Sequence, residues 1–187
     1  MKNIAIFASG EGTNAENLFR YFNHDKRVKI KLVFTNSDTA AVIEKAERYK
    51  KNVQIISKTA LQEYTDQIIE FLKTEKIDLI VLAGFLLQIP EALVKAYPNQ
   101  IINLHPSLLP KYGGKGMYGK HVHEAIIKNK ETISGITIHY VNKEYDKGEI
   151  ILQATCDVQE HDTPLSLSEK IKKLEFEYLP KAIEKII

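Results

Sequence analysis

The stretch "NIAIFASGEGTN", residues 3–14, indicates the fold class of the chain. Its continuous apolar run, residues 3–8, ends at Ser-Gly, which is typical of a buried strand in a parallel sheet. A helix is predicted to follow from residue 14 to residue 22. Between them, Gly10 and Gly12 allow the tight turn and close backbone approach that a ligand-binding loop requires. The stretch therefore predicts a strand, a glycine loop and a helix.

The alternation of strands and helices continues to residue 105. Short apolar runs predict four more strands, at residues 28–36, 52–57, 77–85 and 100–105. Amphipathic or proline-initiated segments predict helices at residues 40–50, 60–76 and 90–97. This order favours a three-layer, doubly wound α/β fold of the Rossmann-like type, with a mostly parallel sheet and the most apolar strand near its centre.

The last third of the chain has a different pattern. A helix is predicted at residues 121–129, and strands at 134–141 and 149–158 form an antiparallel pair across a short loop. A closing helix begins after Thr163, which we expect to cap it, and Pro180 should kink or interrupt it. We predict a single domain, residues 1–187, with a phosphate-binding half (1–105) and a second half (106–187).

Bulk composition narrows the possible functions. The 187 residues carry 26 basic and 24 acidic side chains, so the net charge of +2 gives no case for binding nucleic acid or an anionic membrane. The single cysteine, Cys156, fits a reducing compartment and is interpreted as a strand residue rather than a nucleophile. No apolar run approaches the roughly 20 residues of a membrane span. We expect a cytoplasmic protein that acts on small molecules.

The glycine loop is predicted to bind phosphate. Its glycines, Thr13 and Asn14 combine with the unpaired N–H groups and the dipole of a helix N-terminus. The alternative is a plain tight turn in which Thr13 or Asn14 only caps the helix. The loop also matches the dinucleotide pattern G-x-G-x-x-A from Gly10, with Asp38 as the ribose-binding acid. That match is weak on its own, and Asp38 is as easily a cap of the next helix.

The stretch "IINLHPSLLPKYGG", residues 101–114, ends a strand on Asn103 and His105. Residues two apart on a strand share a face, and open α/β sheets bind ligands at the carboxyl ends of their strands. Gly148 allows a turn that sends Asp146 towards His105. A histidine, with an ordinary pKa of about 6.5, transfers protons near neutral pH; a carboxylate raises that pKa, and an amide N–H stabilises an oxyanion. The alternative is a core histidine and an aspartate that only forms a turn.

Five motifs in order resemble the phosphoribosylglycinamide formyltransferases, the folate-dependent transformylases of purine synthesis: "SGEGTN", "LAGF", "NLHPSLLPKYGG", "GITIHYV" and "DKGEIILQ". The resemblance covers essentially the whole chain. Asn-x-His-Pro-Ser-Leu-Leu-Pro is specific for folate-dependent formyltransferases as a group, and "KYGGKGMYGKHVHEA" points to the glycinamide ribonucleotide branch. The implied reaction is direct transfer of the formyl group of 10-formyltetrahydrofolate, as cosubstrate, to the amine of 5-phosphoribosylglycinamide through a tetrahedral intermediate.

The resemblance also implies residue roles. Asn103 would stabilise the oxyanion, His105 would donate a proton to the departing folate nitrogen, and Asp146 would raise the pKa of His105 and relay protons through water. His139 would support this trio by hydrogen bonding. Substrate contacts are implied for Gly12, Thr13, Asn14 and Glu175. The resemblance also makes residues 106–187 the folate and catalytic-loop half. Folate contacts are implied for Asn103 and for the segment after the central strand, Leu86, Leu87, Gln88 and Ile89.

Two positions depart from the relatives. Many relatives carry an arginine where this chain has Leu61, and often another where it has Leu87, so Lys58 is a candidate replacement. Folate orientation should then depend more on backbone groups and apolar packing. No metal is predicted, because His121 and His123 are two apart on a predicted helix and do not share a face.

The sequence also has rival interpretations. Methionyl-tRNA formyltransferase needs a basic C-terminal domain and formyltetrahydrofolate deformylase an N-terminal regulatory domain, and neither extra domain is evident. A dinucleotide oxidoreductase and a non-catalytic nucleotide-binding module are the alternatives from other classes. The expected assembly is a monomer or a weak homodimer.

Overall fold

The computed structural model describes residues 1–187 as two compact units, Met1–Asn103 and Leu104–Ile187. The first unit contains strands β1 (Lys2–Phe7), β2 (Val28–Thr35), β3 (Asn52–Ile55), β4 (Leu79–Leu82) and the start of β5 (Ile101–His105). Its helices are α1 (Thr13–Tyr21), α2 (Val42–Arg48), α3 (Lys58–Glu63), α4 (Thr65–Thr74) and α5 (Glu91–Ala96).

The first unit is a parallel, doubly wound layer. β1 pairs in parallel with β2 and β4, β2 with β3, and β4 with β5. The chain therefore winds outward from β1 in one direction and, after β3, in the other. Right-handed crossovers then place helices on opposite faces, in agreement with the packing of α1 against α2 and of α4 against α5. The order reverses between β1 and β4, which is where such sheets bind ligands.

The second unit contains α6 (Lys120–Lys128), β6 (Ile133–Tyr140), β7 (Ile150–Asp157) and α7 (Pro164–Ile186). β6 and β7 are antiparallel, and α7 packs against both strands and against α6. Hydrogen bonding orders the seven strands as β3-β2-β1-β4-β5-β6-β7, with β4 in the middle and fully buried. The predicted fold class, a mostly parallel α/β sheet with an antiparallel C-terminal portion, is confirmed.

One predicted helix, residues 60–76, is two helices in the structure. α3 ends and α4 begins around Tyr64, whose backbone is not helical (φ −112°, ψ 29°). The buried hydroxyl of Thr65 donates to the carbonyl of Leu61 at 2.7 Å. Such a side-chain bond competes with the hydrogen bonds of the helical backbone. The spacing of the apolar residues gives no sign of this bond, so the sequence predicted one continuous helix.

The closing helix agrees with one prediction and corrects another. Thr163 caps α7 as expected, and its hydroxyl and that of Ser166 form a reciprocal capping box. Pro180 does not interrupt α7, which is one helix of 23 residues. A proline removes one backbone hydrogen bond, and here the helix around it is buried through Leu179, Pro180 and Ile183. No helix of the protein is both long and apolar enough to cross a membrane.

Gly135 tests how tightly β6 and β7 approach each other. A Cβ atom at Gly135 would overlap the carbonyl oxygen of Ala154 and the side chain of Leu108. We expect Gly135→Ala to destabilise the fold by about 2 kcal/mol, lowering Tm by roughly 5 °C, because overpacking forces the backbone to shift. Calorimetry checks this, with Gly10→Ala, which meets nothing within 4 Å, as the matched control. Equal Tm values for the two variants would contradict the steric argument.

Candidate active site

Gly12 is the residue on which the glycine loop depends. It is the N-cap of α1 in the left-handed conformation (φ 65°, ψ 25°), and a Cβ atom there would overlap the side chain of Val42. The cap makes no side-chain hydrogen bond, so the suggestion that Thr13 or Asn14 caps the helix is wrong. An anion at this end of α1 would meet the positive end of the helix dipole.

Helix α2 holds the glycine loop from the side. The Val42 N–H donates to the Gly10 carbonyl at 3.1 Å, and Lys45 Nζ donates to the Glu11 carbonyl at 2.5 Å. Asp38 is exposed and does not cap α2, whose N-cap is Ala41 without a side-chain bond. The structure therefore gives Asp38 neither the capping role nor a contact with the glycine loop.

Ser9 joins three loops at the ends of neighbouring strands. Its N–H donates to the Gly84 carbonyl at 3.0 Å, and its hydroxyl accepts from the Leu86 N–H at 2.8 Å and donates to the Asn36 amide oxygen. The loops after β1, β2 and β4 are thus fixed to one another at the point where the strand order reverses. Sequence reasoning passed over Ser9, because only its position next to Gly10 hinted at a role.

The segment proposed to contact folate presents few apolar side chains. Leu86 is 54% exposed, Leu87 is half-buried and Gln88 is exposed, whereas the Ile89 side chain is buried. Leu61 is completely buried in the core, and Lys58 is exposed at the start of α3. The position at which the resemblance implies an arginine therefore holds a core side chain, Leu61, and Lys58 is the cation nearest to it in sequence.

Ser9 gives a prediction that does not depend on catalysis. In Ser9→Ala the Leu86 N–H loses its acceptor, and a hydrogen bond worth about 1 kcal/mol corresponds to roughly fivefold faster exchange of that amide proton. Native-state hydrogen exchange measured by NMR checks it. Ser37→Ala, whose hydroxyl contacts only its own loop, is the control and should leave the Leu86 amide unchanged. Unaltered exchange in Ser9→Ala would show that this bond does not protect the amide.

His105 ends β5, two residues after Asn103. Asn103 is half-buried and His105 is buried. The Nε2 atom of His105 donates to the Tyr112 carbonyl at 2.8 Å, since a carbonyl oxygen only accepts. Its Nδ1 atom lies 3.7 Å from Asp146 Oδ2. The prediction that the turn before Gly148 brings Asp146 to His105 is therefore confirmed.

Asp146 lies between two histidines. Its Oδ1 atom is 3.6 Å from His139 Nε2, and its Oδ2 atom also accepts from the Gly114 N–H at 2.8 Å. His139 Nδ1 donates to the Tyr140 carbonyl at 2.8 Å. Asp146 itself has a left-handed backbone (φ 53°), which is uncommon for a residue other than glycine and aims the carboxylate inward.

Burial and charge act in opposite directions on this cluster. Burial lowers the pKa of His105 below its ordinary value, and the Asp146 carboxylate opposes that shift without reversing it. The expectation that the carboxylate raises the pKa of His105 is confirmed for the contribution of Asp146, and burial sets the net direction. Burial also acts to raise the pKa of Asp146, but the hydrogen bond from His139 and the charge of His105 bring it below its ordinary value.

A network of polar side chains fixes the loop that follows His105. The Thr137 hydroxyl donates to the Ser107 carbonyl at 2.7 Å and accepts from the Leu109 N–H at 3.0 Å. The Gln153 amide donates to the Leu109 carbonyl at 3.0 Å and to the Thr137 hydroxyl at 2.9 Å. The loop is thus fixed to β6 and β7. Sequence reasoning credited its rigidity to the prolines and missed Thr137 and Gln153.

The structure gives the burial and the local partners of the remaining candidate residues. Glu175 is half-buried on α7. His121 is exposed and 3.6 Å from Glu124, whereas His123 is buried, so the two histidines occupy different faces of α6 as predicted. Cys156 is a half-buried strand residue on β7, as expected, and burial raises the pKa of its thiol.

Comparison with known proteins identifies relatives of this chain. Residues 2–183 match the formyl transferase family model. The chain is 32% identical to phosphoribosylglycinamide formyltransferase of Bacillus subtilis (strain 168), covering 100% of this chain and 95% of that protein. It is 37% identical to the chloroplastic phosphoribosylglycinamide formyltransferase of Arabidopsis thaliana, over 91% of this chain but only 60% of the relative.

A solved structure gives the same result in three dimensions. The crystal structure of phosphoribosylglycinamide formyltransferase from Bacillus halodurans superposes with a TM-score of 0.90 at 33% identity, covering 99% of this chain and 95% of that one. The family match, the curated relatives and the shared fold all lead to one assignment. This chain belongs to the formyl transferase family and, within it, groups with the phosphoribosylglycinamide formyltransferases.

Proposed function

We propose that this chain transfers the formyl group of 10-formyltetrahydrofolate to the amine of 5-phosphoribosylglycinamide in purine biosynthesis. The observation that carries the proposal is the buried His105 imidazole beside the Asp146 carboxylate, at the end of the strand that also carries Asn103. Family membership supports the reaction class, and the arrangement supplies a proton donor and a group that tunes it.

The proposed course is a direct transfer through a tetrahedral intermediate. The substrate amine attacks the formyl carbon, and the Asn103 amide N–H stabilises the oxyanion that forms. Protonated His105 donates its Nδ1 proton to the folate nitrogen as the carbon–nitrogen bond to folate breaks. The proton lost by the attacking amine passes through water next to Asp146 and returns to His105 Nδ1, so that His105 is protonated again at the end of the cycle.

Binding is assigned to the candidate residues in the same proposal. The backbone of Gly12 and the side chains of Thr13 and Asn14 hold the substrate phosphate at the N-terminus of α1, and Glu175 accepts hydrogen bonds from the ribose. The folate pterin contacts the segment from Leu86 to Ile89, mainly through its backbone, and Asn103. His139 keeps Asp146 in place through its hydrogen bond.

The wider setting is proposed on the same grounds. The near-neutral net charge of +2 favours small-molecule substrates over nucleic acid or an anionic membrane surface. We propose a cytoplasmic enzyme that is a monomer or a weak homodimer. Sedimentation over a range of protein concentrations measures that assembly state.

Removal of the His105 imidazole tests the proton donor. We expect His105→Ala to lower kcat at least 100-fold, because general acid catalysis contributes about 10²- to 10⁴-fold. The measurement is formyl transfer from 10-formyltetrahydrofolate to 5-phosphoribosylglycinamide, with His24→Ala, an exposed histidine, as the matched control. Near wild-type turnover in His105→Ala would remove His105 from the mechanism.

Asp146→Asn tests the electrostatic role of the carboxylate through pH dependence. His105 must be protonated to donate, so kcat should fall as the pH rises through its pKa. Asp146 raises that pKa against the effect of burial, so its neutralisation should move the fall in kcat to lower pH. At neutral pH we expect a severe loss of kcat with little change in KM, while Asp66→Asn, on the exposed surface of α4, serves as the control. A large rise in KM at unchanged kcat would contradict this role.

A further inference from the structure

The hydrogen bond from His105 to Tyr112 decides which ring nitrogen exchanges its proton. Nε2 donates to the Tyr112 carbonyl at 2.8 Å and therefore carries hydrogen in both charge states of the ring. Neutral His105 then has its lone pair on Nδ1, the atom that lies 3.7 Å from Asp146 Oδ2. The proton that His105 gains and loses is consequently the one on Nδ1.

Tyr112, whose carbonyl accepts this hydrogen bond, has an unfavourable backbone conformation. Tyr112 has φ of 56°, a region that bulky side chains rarely adopt. Surrounding contacts must therefore fix it. One contact is local: the Ser107 hydroxyl donates to the neighbouring carbonyl of Lys111 at 2.7 Å.

The second set of contacts is made by the Tyr112 phenol. Its hydroxyl donates to Glu131 Oε1 at 2.9 Å and accepts from Asn129 Nδ2, also at 2.9 Å. Lys111 Nζ lies 3.0 Å from the same Glu131 oxygen. Asn129 is the C-cap of α6 and Glu131 precedes β6, so the phenol is attached to the connection between two regular elements.

We propose that Tyr112 is a positioning residue for the transfer reaction: its phenol, fixed by Glu131 and Asn129, holds its carbonyl on His105 Nε2 and confines the exchangeable proton to Nδ1. The proposal rests on the proposed role of His105 as proton donor. In this proposal Tyr112 does not contact either substrate. Its contribution is to keep the imidazole in one orientation and one neutral tautomer, as oriented histidines in catalytic triads require.

The effect of Tyr112 on His105 can be separated from the effects of the charged groups beside the imidazole ring. The groups that face the imidazole are Asp146, which raises its pKa, and His139, which lowers it, and both lie on the segment from β6 to the following loop. The Tyr112 carbonyl bond also raises the pKa of His105. Glu131 and Asn129 act only on the phenol end of Tyr112, so their replacement leaves the charges beside the ring unchanged.

Tyr112→Phe, which keeps the ring and removes the hydroxyl, is the principal test. We expect kcat to fall about five- to tenfold and KM for both substrates to stay within about twofold, because loss of the two hydrogen bonds of the phenol weakens the carbonyl bond to His105 by about 1 kcal/mol. The fall of kcat with pH should move to lower pH, because that carbonyl bond raises the pKa of His105. Glu131→Ala, which removes the partner and keeps the phenol, should give the same pattern. Tyr64→Phe, an exposed tyrosine on the α3–α4 connection, is the matched control.

Two readouts separate positioning from general damage. Nitrogen-15 NMR of the histidine rings should show His105 as the Nε2–H tautomer in the wild type and a mixture of tautomers in both variants. The double variant should lose no more activity than the larger single loss, since both changes act on one contact. Parallel rises in both KM values with an unchanged tautomer, or additive losses in the double variant, would overturn the proposal.

The outcomes also distinguish this inference from the proposed function. If His105→Ala keeps its turnover, the proton-donor role fails, whatever the tautomer of His105 in the variants. If His105→Ala is inactive while Tyr112→Phe keeps wild-type kcat, pH profile and tautomer, the proposed function stands and the positioning role of Tyr112 is wrong.

Discussion

The carboxylate of Asp146 lies between two imidazoles, and most of the local structure around it serves that placement. His105 and His139 each donate a hydrogen bond from one ring nitrogen to a backbone carbonyl. The other nitrogen of each ring therefore faces the carboxylate of Asp146. One negative charge is thus shared by two groups that can both become positive. Within the cluster, Asp146 raises the pKa of His105 and His139 lowers it.

Placing Asp146 between the two histidines requires unusual backbone conformations nearby. Asp146 and Tyr112 both have left-handed backbones, and no room exists for a Cβ atom at Gly148, where it would overlap the Tyr140 carbonyl. Hydrogen bonds from the Gly114 N–H to Asp146, and from Thr137 and Gln153 to the loop after His105, hold these conformations. Strain of this kind persists only where surrounding contacts over-determine it, which is typical of functional sites.

The sequence predicted those features that depend on pattern. The hydrophobic periodicity predicted the order of the helices and strands. The residues at the ends of the predicted strands indicated the glycine loop and the proximity of Asp146 to His105. It could not give features that depend on backbone groups or on distant partners. No residue letter reports that the Tyr112 carbonyl receives His105, that Gly12 rather than Thr13 is the helix cap, or that Thr65 bonds to Leu61 and ends a helix. The net direction of the His105 pKa likewise required its burial, which only the folded chain defines.

The hydrogen bonds of Ser9 connect the three loops that follow β1, β2 and β4 into one joint. The glycine loop is consequently not an exchangeable module. A chimera that imports it into another Rossmann-like scaffold needs the serine, an N–H group at the position of Leu86 and an amide at the position of Asn36. Crossover points for recombination within this family belong outside that joint and beyond helix α2, because Val42 and Lys45 of α2 also hydrogen-bond to the glycine loop.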